Sequence, residues 1–149
     1  MEMLARKLRT LRAERVVEVQ RPERPSPAGD ERLSRGWALA LPVAWAVIFS
    51  TAVAVEPPPA NPNAPEPLIG VILGMVLFAA WTAMVVGLAG RRAMGAWGSL
   101  AAGATMLAAA VACPISGHHS SVGLWWFYEL AGAATLIALS LRALPRRER

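Results

Sequence analysis

LIGVILGMVLFAAWTAMVVGLAG, from Leu68 to Gly90, is followed by Arg91-Arg92 and then by AMGAWGSLAAGATMLAAAVAC, from Ala93 to Cys113. These 46 residues decide the fold, because two uncharged apolar runs of 23 and 21 residues meet at a pair of arginines. A helix rises 1.5 Å per residue, so about 20 such residues cross a hydrocarbon core about 30 Å thick. A chain in lipid must satisfy its own backbone hydrogen bonds, which makes each run a helix. Strands of a membrane barrel would alternate in polarity, and these runs do not. Two arginines leave room only for a tight antiparallel hairpin.

Two more runs lie to either side. Gly36 to Val55 holds 20 residues without a charge, and Val122 to Leu141 holds 20 interrupted only by Glu129. The expected fold is all-α, a four-helix transmembrane bundle with spans at 36–55, 68–90, 93–113 and 122–142 of the 149-residue chain. The first run ends in Ala52-Val-Ala54, a loose match to a leader cleavage site. Because 35 residues precede it and its apolar core is long, it reads as a retained helix.

Charge gives the orientation. Nine of the 15 basic residues precede Gly36, two are Arg91 and Arg92, and four follow the last span: Arg142, Arg146, Arg147 and Arg149. The other two connections carry only Glu56 and Glu66 as charges. By the positive-inside rule both termini are cytoplasmic. The sequence pI near 11 thus records topology, and nucleic acid is not an expected partner. Arginine outnumbers lysine fourteen to one, the bias of a GC-rich bacterial genome. The expected location is a bacterial inner (cytoplasmic) membrane.

Outside the spans, residues 1–19 place Met1, Leu4, Leu8 and Leu11 on one helical stripe flanked by Arg6, Arg9 and Arg12. They read either as a short basic surface helix on an anionic leaflet or as a solvated tail. Residues 20–35 read as a disordered linker lacking apolar residues to bury, and 144–149 as a basic tail. The loop from Glu56 to Pro67 has six prolines in 12 residues, which favours a stiff extended connector.

Small residues predict the packing. Gly70 and Gly74 form a GxxxG in the second span, and Gly95, Ser99 and Gly103 form two small-xxx-small steps in the third. Thirteen of the third span's 21 residues are Gly, Ala or Ser, which marks it as the central helix. Trp37, Trp97, Trp125 and Trp126 fall at the span boundaries as interfacial anchors, whereas Trp45 and Trp81 lie deeper and pack.

Two clusters can carry chemistry. Glu129 sits within the fourth span, with Thr105 and Ser50 at similar depth, and the three form a candidate proton or cation site. The competing reading is a structural carboxyl bonded to a neighbouring helix. Cys113, His118 and His119 bring thiol and imidazole together near the opposite boundary from the arginines, where a transition metal or haem is the alternative to no cofactor. The competing reading is a polar turn. A single cysteine forms no internal disulfide. There is no Cys-x-x-Cys, phosphate-binding glycine loop, His-Glu-x-x-His or Gly-x-Ser-x-Gly, so no enzymatic activity is expected. The expected partners are the bilayer and a membrane protein or second copy. The expected role is an accessory or assembly subunit of a membrane complex. The alternatives are a metal-, haem- or proton-handling protein at the outer leaflet and a small oligomeric transporter using Glu129.

Overall fold

A computed structural model describes residues 32–61, 63–65, 67–117, 119 and 122–145. The expected N-terminal surface segment, most of the linker, His118 and all but the first two residues of the final basic tail lie outside them. The described chain is four helices: α1 Arg35–Val55, α2 Leu68–Ala89, α3 Ala93–Ile115 and α4 Leu124–Ala143. At 20 to 23 residues each is about 30–35 Å long. All four are long and apolar enough to cross a membrane.

Local chemistry sets the helix limits. Ser34 caps α1, its hydroxyl accepting from the Trp37 N–H at 3.4 Å. Glu56 and Leu144 end α1 and α4 with extended backbone, as residues before proline do. Between α2 and α3 the turn closes through Arg91, whose φ of 52° is left-handed. Its backbone N–H donates to the Leu88 carbonyl at 2.9 Å, and that of Arg92 to Gly87 at 2.8 Å.

Polarity is inverted relative to a protein built for water. Leu39, Leu68, Phe78 and Leu124 stand fully outward, part of an apolar surface far larger than the patches water tolerates. The interior is made of small residues: α3 buries Gly95, Ala96, Gly98, Ser99, Ala102 and Gly103. The hydroxyls of Thr51, Thr82, Thr105 and Thr135 each donate to the carbonyl four residues back, so none is left bare on the apolar faces. Together these features are those of a small multi-pass membrane protein.

The helices form an open array in the spatial order α2, α3, α4, α1. As the composition predicts, α3 is the most enclosed, packing along α2 and α4 and touching α1. The first and second helices barely meet; they are joined midway by Trp81, whose ring lies 6.2 Å from Trp45 and 5.9 Å from Phe49.

The close helix contact is not at the expected GxxxG. A Cβ on Gly74 would meet nothing, whereas one on Gly87 would overlap the backbone of Gly95, and one on Gly98 the backbone of Met84. The two helices are tethered by a two-residue turn, so they are pressed together beside it and diverge further away. Leu33 also departs from expectation. It falls within the stretch read as linker, yet it is buried and bonded to the turn through Leu33 N–H to Arg91 O at 2.7 Å.

Candidate functional site

The end carrying the α1–α2 and α3–α4 connections gathers the titratable side chains predicted from sequence. Glu56 terminates α1, and its carboxylate meets His119 Nε2 at 3.0 Å. The imidazole is almost wholly buried and rests against Trp125, ring centres 4.6 Å apart in an edge-on arrangement. The loop after α3 is therefore strapped to the end of α1 through a residue 63 positions earlier in sequence. Cys113, half-buried in the last turns of α3, and Glu129, half-buried on α4, lie near enough for their charges to interact with Glu56. His119 is likewise within range of Glu129.

The other expected neighbours of Glu129 are not drawn to it. Thr105 donates to Ala101 O on its own helix at 2.8 Å and lines a groove facing α2. Ser50 lies on the exposed face of α1. Among the described residues no hydrogen bond joins either to Glu129. The fourth helix begins at Leu124, not Val122, which puts Glu129 about 8 Å from its start and shallower than the sequence count gives. Of the expected metal set, Cys113 and His119 are at the same end, and His118 lies outside the described residues. Among the described residues no three His, Cys, Asp or Glu side chains converge to hold a metal ion.

Two features escaped the sequence reading. One is Glu56, noted only as a loop charge; its signal was that it is one of just two charges in these connections. The other is a buried hydrogen-bond chain nearer the basic end. The Trp45 indole N–H donates to Ser99 Oγ at 2.8 Å, and Ser99 lies 2.7 Å from Ser140 Oγ. Ser140 directs its own proton to the Leu136 carbonyl at 2.6 Å, so the Ser99 hydroxyl is the donor between the two serines. The chain links α1, α3 and α4. The deep position of Trp45 was the available signal, since a buried indole N–H needs an acceptor.

A second surface runs along the far halves of α2 and α3, where the helices diverge. It is a groove of about 240 Å³ lined by Gly70, Gly74, Leu77, Thr105, Ala109 and Cys113, among others. Among the described residues, Gly70 and Gly74 of α2 thus border an open groove, and a Cβ on Gly74 would touch nothing across it. No protein-family model matches the chain, and no curated protein or solved structure is similar enough to indicate a relationship.

Proposed function

We propose that this chain is an accessory or assembly subunit of a membrane complex, seated with its basic end in the cytoplasm of a bacterial inner membrane. The observation that carries the reading is that the GxxxG of α2 borders an open groove. In lipid, helices associate through close backbone packing at small residues. Here α2 buries Ala80, Met84, Gly87 and Leu88 near the turn, while Gly70 and Gly74 border an open groove. A spanning helix of a partner protein fits that surface, with the Thr105 side of α3 as its floor.

Native mass spectrometry of the protein extracted from its own membranes in mild detergent tests the proposal. The expected result is a stoichiometric protein partner in the wild type that is lost in Gly74→Leu. Position 74 is open within the chain itself, since a Cβ there meets nothing within 4 Å, and circular dichroism checks that the variant is folded. A wild-type species with no bound protein overturns the reading.

A second reading is supported by the Glu56–His119 contact beside Cys113 and Glu129. It is a metal-, haem- or proton-handling site at the outer leaflet. Metal or haem mass on the wild type, lost in His119→Ala, is its signature in the same measurement.

A further inference from the structure

At the basic end α1 and α2 stand apart around a cavity of about 550 Å³, within the range of small-molecule sites. Its walls are Ala38, Leu39 and Pro42 from α1 and Met84, Val85, Leu88 and Ala89 from α2, with Arg35 and Arg91 at the same end. Arg35 is the first residue of α1, where the backbone amides of a helix start add positive potential. Arg91 is held from both sides. Its backbone carbonyl accepts from Leu33 N–H, and its Nη2 donates to Leu33 O at 3.2 Å. The Nε of the same guanidinium is shut off from water and has no acceptor among the described groups.

The groove's length selects its occupant. From Arg35 to Pro42 it runs about 10 Å along α1. Beyond that point Trp45, Phe49 and Trp81 bridge the two helices. A partner helix crossing about 30 Å of hydrocarbon cannot lie between α1 and α2 past this bridge. A flexible acyl chain can enter, and Arg35 and Arg91 line the groove's basic end, on the side from which its phosphate would approach.

We propose that this groove binds one anionic phospholipid of the cytoplasmic leaflet, its phosphate on Arg35 and Arg91 and the first part of one acyl chain against Leu39, Pro42, Val85 and Leu88. The proposal rests on the positive-inside orientation above, and it is independent of whether the GxxxG groove holds a partner.

The test uses the purified full-length protein in nanodiscs of phosphatidylcholine containing a minor fraction of phosphatidylglycerol, ejected into native mass spectrometry to identify retained lipid. A basic residue near an anionic surface contributes about 1 kcal/mol, which is roughly fivefold in preference. The expected result is selective retention of one phosphatidylglycerol. Selectivity drops roughly fivefold in Arg35→Gln, further in Arg35→Gln with Arg91→Gln, and not at all in Arg142→Gln, whose arginine is at the same end but off the groove. Ala38→Phe, which fills the groove and keeps both arginines, loses the lipid too, whereas an ion bound by the arginines alone would survive it. Circular dichroism confirms that each variant is folded, and Arg35→Gln, at an exposed position, carries the test if Arg91→Gln is not. Equal retention of the two lipids by the wild type, or the same loss in Arg142→Gln as in Arg35→Gln, overturns the proposal.

Discussion

Pro114 and Trp126 show how one residue creates a need that another meets. A proline within a helix has no N–H, so the carbonyl four residues back loses its donor. For Pro114 that carbonyl is Ala110 O, and it accepts instead from the Trp126 indole N–H on α4 at 2.8 Å. Trp126 is thus a bridge between two helices as well as a boundary aromatic. Trp126→Phe should destabilise the protein by about 1 kcal/mol. In a Pro114→Ala background the helical N–H returns, and the same substitution should cost measurably less. Denaturation in mixed micelles, run as a double-mutant cycle, checks this; equal costs in both backgrounds would show that the indole bond does not answer the proline. Ser99 is the second case. It receives the Trp45 N–H and passes its own proton to Ser140, all in the interior. Interhelical hydrogen bonds in membranes average about 0.6 kcal/mol and reach about 1.7. Ser99→Ala strands the indole N–H, so its cost should lie toward that upper value in the same assay and shrink when Trp45 is also Phe. A cost unchanged by Trp45→Phe would mean that the indole bond contributes nothing and that Ser99 acts through Ser140 and packing.

At the scale of the element, helix limits are local properties and were readable, while helix contacts were readable in part: Gly95, Ser99 and Gly103 do carry the packing of α3, but Gly74 of α2 does not. The expected spans 68–90 and 93–113 became Leu68–Ala89 and Ala93–Ile115, because a proline before α2 and two arginines after it fix those limits without reference to the rest of the fold. Which glycines touch depends on where two helices cross. The short turn puts that crossing beside Arg91-Arg92, so Gly87, Gly95 and Gly98 carry it and Gly74 does not. Overpacking of a tight interior costs about 1–3 kcal/mol and sometimes more. Gly87→Ala should therefore lower stability in detergent by at least that range, because the Cβ meets backbone that cannot rotate away. Gly74→Ala should be neutral in the isolated chain. If thermal unfolding ranks the two the other way, the hairpin does not cross where the structure places it. The same logic explains the partial reading of the site. Cys113, His119 and Glu129 could be assigned to one end from span order alone. The Glu56–His119 contact could not, since it depends on α1 packing beside α4.

For the whole molecule, the open order α2, α3, α4, α1 separates two surfaces with different chemistry. The basic end has a tight α2–α3 crossing and a split between α1 and α2 that places two arginines at an apolar groove. The opposite end has a splayed α2–α3 pair and an acidic, imidazole-bearing strap. The lipid site and the outer-leaflet site depend on which end faces the cytoplasm, for which the charge distribution gives an expectation through a rule about insertion and not through any contact in the fold. Removing the single native thiol with Cys113→Ser allows the orientation to be read directly. A cysteine introduced as Asn61→Cys, in the exposed proline-rich loop, should react with a membrane-impermeant maleimide in intact spheroplasts. One introduced as Arg32→Cys, exposed beside the α2–α3 turn, should react only after the membrane is opened. Arg32 is one of fifteen basic residues, so its loss leaves the charge bias intact. The reverse labelling pattern would place Arg35 and Arg91 outside. It would remove the cytoplasmic-leaflet lipid site while leaving the GxxxG groove available to a partner helix, because helix association within the bilayer does not depend on which end faces in.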